Sequence, residues 1–111
     1  MSKISEQAAK SFLISKQFKK DNTEVKMYSL IGEYALFLHG NRIAWWDRGK
    51  IYISNRGFFT KTTKDRLNQL PNVHIVQKRG EWYLNGIKWD GFPVCVDSIG
   101  KTDDLIIDGD L

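Results

Sequence analysis

Residues 34–54 read YALFLHGNRIAWWDRGKIYIS, and their punctuation decides the fold. Tyr34–His39 is an apolar, aromatic-rich run, and Arg42–Trp46 is a second one. Gly40-Asn41 between them is a two-residue hairpin signature, because both residues tolerate positive φ. Asp47-Arg48-Gly49 turns the chain again, and Lys50–Ser54 alternates apolar and polar residues with the period of a strand. Strands this close, joined by turns this tight, make an antiparallel meander.

The flanks extend this core in both directions. Upstream, Asp21-Asn22 marks a turn and Val25–Leu30 an earlier strand. In residues 1–20, Ile4, Ala8, Phe12 or Leu13, and Phe18 recur at rough helical spacing. Ser2 or Ser5 suits a cap there, and Lys16, Lys19 and Lys20 suit a helix C-terminus. Phe12-Leu13-Ile14 fits a strand equally well, and a basic arm is the third reading. Downstream, Asn55-Arg56-Gly57 closes the meander and Thr62–Leu70 predicts a helix ended by Pro71. Thr60 or Thr62 is its N-cap, with Asp65 approximating a capping box to Thr62. Val73–Val76, Trp82–Leu84 and Ile87–Trp89 follow as strands, the last two joined by the strong hairpin turn Asn85-Gly86. Residues 93–99 suggest one more edge strand. The class is α+β with a mainly antiparallel sheet. The chain divides into an N-terminal helix or arm (1–22), one domain (23–99) and an acidic tail (100–111).

At 111 residues, with 41% hydrophobic and 13% aromatic residues, the chain has material for one packed core. No apolar run approaches the roughly 20 residues that span a bilayer, and no secretory leader opens the sequence. A single cysteine, Cys95, excludes an internal disulfide and reads as a small buried hydrophobe. Residues 1–92 hold 16 Lys and Arg against 8 Asp and Glu, whereas residues 93–111 hold one Lys against five Asp. A basic body with an acidic tail points to a polyanion-binding surface; a soluble surface with a solvated tail has the same composition.

Enzyme signatures are absent: there is no GxxxxGK[ST], GxGxxG, HExxH or GxSxG. His39 and His74 stand in different strands, away from any Cys or carboxylate at metal-ligand spacing. No cofactor is expected. The better signal is on strand faces. With Ile43, Trp45, Ile51 and Ile53 turned to the core, Arg42, Ala44, Trp46, Lys50, Tyr52 and Ser54 share the outer face. Phe37 and His39 join them or not according to the register of the turn. Rings stack on bases and cations hold phosphates, so Trp46 and Tyr52 with Arg42, Lys50 and Arg56 have the composition of a base-stacking sheet. A sheet face covered by a helix or a partner subunit has it too. The second candidate is the start of the central helix, where Thr60, Lys61, Thr62, Lys64 and Arg66 combine free N–H groups, hydroxyls and cations suited to phosphate. Capping threonines beside solvated lysines look the same in sequence.

These segments also carry a resemblance. Leu38–Ala44 (LHGNRIA), Ile53–Asn68 (ISNRGFFTKTTKDRLN) and Trp82–Gly86 (WYLNG) resemble a group of small tailed-phage proteins with the pattern LHGNxIA…ISxxGWxTxTTKxRLN…WYLNG. Phe58 stands where that pattern has Trp. The resemblance implies a phage product acting in the host cytoplasm. The leading expectation is a non-enzymatic protein that binds single-stranded or distorted DNA without sequence preference. The alternative is an inhibitor of a host enzyme or defence protein, with its acidic tail mimicking nucleic acid. A small phosphate-ester or nucleotide enzyme centred on Thr60–Arg66 is a third reading, and a homodimer is a further expectation, since it would cover the aromatic face.

Overall fold

The computed structural model describes residues 3–96; Ser2, Asp97 and the acidic segment 100–111 lie outside them. Helix α1 (Lys3–Leu13) leads into strands β1 (Phe18–Lys20), β2 (Thr23–Met27), β3 (Tyr34–Leu38), β4 (Asn41–Asp47) and β5 (Lys50–Ile53). Helix α2 (Lys61–Leu67) follows, then β6 (Ile75–Lys78), β7 (Glu81–Leu84), β8 (Ile87–Lys88) and β9 (Val94–Cys95). The meander is present, and the class is α+β. Pairing is antiparallel throughout: one sheet runs β1-β2-β3-β4-β5-β9, and a smaller one runs β6-β7-β8.

The N-terminal segment is a packed helix rather than a strand at Phe12–Ile14 or a loose arm. Ala8, Ala9 and Phe12 are buried against one face of the large sheet. The helix stops where Ser15 takes φ 55°, with Lys16 N–H bonded to the Ser11 carbonyl and Ser15 N–H to that of Phe12. That is a Schellman C-cap with serine in the left-handed position. Phe18–Lys20 then forms an edge strand, not the end of a helix. Ser5 is not a cap but lies buried inside α1.

The β3–β4 turn is centred on His39-Gly40, not Gly40-Asn41, with φ of 52° and 79°. Asn41 is the first residue of β4. The decisive irregularity comes next. Leu36 pairs with Ala44 but Phe37 pairs with Arg42, leaving Ile43 as an extra residue in β4. This β-bulge puts both Ile43 and Ala44 on the core side and reverses the alternation beyond them. The core face then presents Val25, Leu36, Ala44, Trp46, Ile51 and Ile53. Packed on it are α1, α2 and the inner face of the small sheet, including Leu67, Ile75, Trp82 and Leu84. Helix α2 ends before Pro71, because the Asn68 amide exchanges two hydrogen bonds with the Ile75 backbone (2.6 and 3.0 Å).

Candidate nucleic-acid interface

The bulge decides which aromatics reach the outer face. The face opposite α1 presents Glu24, Lys26 and Tyr28 from β2 and its extension, Ala35 and Phe37 from β3, Arg42 and Trp45 from β4, and Lys50 and Tyr52 from β5. Trp45 pairs with Tyr52, and their ring planes lie 11° apart at 6.1 Å. The Arg42 guanidinium lies 4.6 Å from the ring centroids of both Tyr28 and Trp45. Lys26 Nζ lies 5.1 Å from the Phe37 centroid. Cation–π pairing of this kind holds the charges against the sheet at modest cost.

Arg42, Lys50 and Tyr52 are therefore on the outer face, as the alternation predicts. Trp46 is not. Its ring packs 5.8 Å from Phe12 beneath α1, and its Nε1–H donates to the Phe12 carbonyl at 2.9 Å. Trp45, expected inside, takes the outer position and is 8% exposed. Ala44 and Ser54, expected outside, are buried; the Ser54 hydroxyl donates to the Gly91 carbonyl at 2.7 Å. Tyr28 was the residue sequence reasoning missed, although Glu24, Lys26 and Tyr28 alternate with buried Val25. Burial, with Glu33 nearby, holds the Tyr28 phenol above its ordinary pKa, so it stays neutral and donates to the Trp46 carbonyl at 2.6 Å.

The start of α2 divides differently. Thr60 is the N-cap: its Oγ1 accepts from Thr63 N–H at 3.2 Å and meets the Thr63 hydroxyl at 2.9 Å. Asp65 forms no capping box with Thr62, since its carboxylate accepts from the Ser5 hydroxyl at 3.1 Å. Thr60→Ala should cost about 1–2 kcal/mol in a denaturant titration, because the buried Thr63 hydroxyl loses its partner along with the cap. Lys61 is exposed, and Lys64 Nζ reaches Gln77 at 3.2 Å. Arg56 is exposed in the turn after β5. Arg66 cannot grip a phosphate: it is 6% exposed and bonded to Thr23 and Ser5 inside the protein. With the Thr63 N–H engaged by the Thr60 cap and Arg66 turned inward, the seven-residue α2 is not a phosphate cradle.

Beside α2 a cleft of about 230 Å³ is lined by Leu38, His39, Asn41, Ile43, Phe58, Thr60, Thr62 and Thr63. Two segments far apart in sequence, LHGNRI and FFTKTT, meet there. Cys95 lies half-buried at the sheet edge, opposite Tyr52. Among the described residues no cluster of three metal-ligating side chains occurs, and no helix is long and apolar enough to cross a membrane.

The model of the family described as Kyanoviridae Gp96 protein matches residues 1–100 of the chain. No curated protein matches, and no solved structure does.

Proposed function

The chain belongs to the Kyanoviridae Gp96 protein family, a family of phage proteins, and from that premise we propose that it binds single-stranded nucleic acid on the outer face of its large sheet. The observation that carries this reading is Arg42. Its planar guanidinium lies against Tyr28 and Trp45 yet makes no hydrogen bond or ion pair with another described residue. Stacking occupies the π-face of a guanidinium and leaves its N–H edge to meet a phosphate. Around it, Tyr52 and Phe37 are half-buried rings whose remaining surface is open to a base, while Lys26 and Lys50 are exposed. Residues 3–96 hold 16 Lys and Arg against 8 Asp and Glu, a balance of +8 that favours a polyanion. Trp45 serves as a platform for its neighbours, since little of its own ring is accessible.

Fluorescence anisotropy with a labelled oligothymidylate at two salt concentrations tests this. Stacking contributes about 1–3 kcal/mol per base, so Tyr52→Ala should weaken binding by about five- to 150-fold. Arg42→Gln should lower the slope of log affinity against log salt by about one. Trp46→Phe, on the covered face, should leave affinity unchanged. Absence of binding at low salt, or equal affinities in all variants, would falsify the reading.

A second reading, a contact with a host protein, is favoured by the β2–β3 tip. There Leu30 and Ile31 are 106% and 77% exposed on a loop held by Tyr28, Ser29 and Glu33 hydrogen bonds. A rigid apolar tip suits a protein pocket. The acidic residues of the tail-mimicry idea lie outside the described region. Leu30→Ser with Ile31→Ser should spare oligonucleotide affinity and abolish capture of a host protein.

A further inference from the structure

The cleft beside α2 has a lining that specifies a ligand. Leu38 and Ile43 are buried apolar floor, and Phe58 is a half-exposed wall. Five polar residues complete the lining: the Thr60 and Thr63 hydroxyls meet each other at 2.9 Å, His39 shares one ring nitrogen with Asn22 at 3.2 Å, and the Asn41 side-chain Oδ1 and the Thr62 hydroxyl hold no hydrogen bond to a described residue. No carboxylate or ammonium lines the cleft, so neither an anionic nor a cationic head group is matched inside it. A sugar would need more hydrogen-bonding partners than these. A cleft of about 230 Å³ has room for one flat ring system. Lys61, exposed between the lining residues Thr60 and Thr62, supplies a positive charge next to the cleft along the chain.

We propose that this cleft holds one nucleobase of the strand bound on the sheet, its ring on Leu38, Ile43 and Phe58, its polar edge at Asn41 and Thr62, and its phosphate outside at Lys61. The inference rests on the nucleic-acid reading, and the fold connects the two surfaces. The Leu38–Asn41 pair is the rung next to Phe37–Arg42 on the β3–β4 ladder. Successive side chains point to opposite faces, so the stacking face and the cleft lie on the two sides of the same hairpin end, and a strand that rounds the His39-Gly40 turn reaches both.

Methyl NMR separates the possibilities. The four deoxynucleoside 5′-monophosphates at millimolar concentration should shift the Leu38, Ile43 and Thr62 methyl signals, and deoxyribose 5-phosphate should not. Thr62→Val should weaken the monophosphate by about three- to tenfold, and Phe58→Ala by at least as much, with the remaining spectrum unchanged. Both residues are partly exposed, so the fold tolerates these variants. An oligothymidylate should shift the same methyls in the wild type. In Arg42→Gln the oligonucleotide weakens while the monophosphate shifts persist, so a failure of the sheet interface is distinguishable from a failure of the cleft. Equal shifts with deoxyribose 5-phosphate, or none with any base, overturn the proposal. Shifts with monophosphates but not with the oligonucleotide assign the cleft to a free nucleotide and overturn it for a strand.

Discussion

Arg66→Ala should destabilise the protein by about 3–5 kcal/mol, the usual cost of stripping one partner from a buried ionic network. Its Nε donates to Thr23 Oγ1 at 2.9 Å, Nη1 to Ser5 Oγ at 2.6 Å and Nη2 to Asn22 Oδ1 at 3.4 Å, with the Asp65 carboxylate 4.0 Å away. One side chain thus ties α1, the start of β2 and α2 together. Burial lowers the affinity of this guanidinium for its proton, and Asp65 partly offsets that, but an arginine stays charged across the range in which proteins fold. Removing it takes a donor from the buried hydroxyls of Ser5 and Thr23. With urea m-values of about 1–3 kcal/mol/M for small domains, the midpoint should fall by about 1 M or more. Arg66→Met should recover only part of the loss, since it restores volume but no hydrogen bond. At temperatures where the variant stays folded, its oligonucleotide affinity should match the wild type. A variant with normal stability and weakened binding would return Arg66 to the interface.

Arg66 also shows where sequence reasoning reaches its limit. In TKTTKDR every cation has the same local context, and spacing alone cannot tell that Arg66 points at α1 while Lys61 faces water. The Ser5 partner lies 61 residues away, so nothing local announces it. What was legible is what depends on neighbours: that the chain turns between β3 and β4, though one residue earlier than Gly40-Asn41, the alternation in Lys50–Ile53, and a helix capped at Thr60. The face assignment of β4 was not legible beyond Arg42. A period-2 reading carried Trp46 outward, and one extra residue, Ile43, exchanged it with Trp45. The composition of the outer face survives the exchange, because an indole still sits beside Tyr52 and Arg42. Its chemistry does not survive unchanged: the outer indole is a covered platform, and the accessible rings are Tyr52 and Phe37.

Gly91→Ala is expected to have a comparable effect for a steric reason. Gly91 adopts φ +91°, and a Cβ there would lie 2.0 Å from Asn55 Oδ1. Asn55 cannot readily give way. It is 1% exposed, its N–H donates to the Gly91 carbonyl at 3.0 Å, and its Oδ1 accepts from Gly57 N–H at 2.8 Å. The cost combines about 1–3 kcal/mol of backbone strain with about 1–3 kcal/mol of overpacking. Gly57→Ala isolates the first part: its φ is +86°, but nothing lies within 4 Å of the added Cβ. Denaturant midpoints should therefore fall further for Gly91→Ala than for Gly57→Ala. Trimming Asn55 to Ala should be less damaging in the Gly91→Ala background than in the wild type, since it removes the atom the new methyl strikes. The Asn55–Gly57 bond shapes the turn that delivers Phe58 to the cleft, so Gly91→Ala should also displace the Leu38 and Ile43 methyl signals before any ligand is added. If the two glycine variants are equally stable, the tight packing of Gly91 on Asn55 is not a constraint on the fold, and the position of Phe58 must be set by α2 alone.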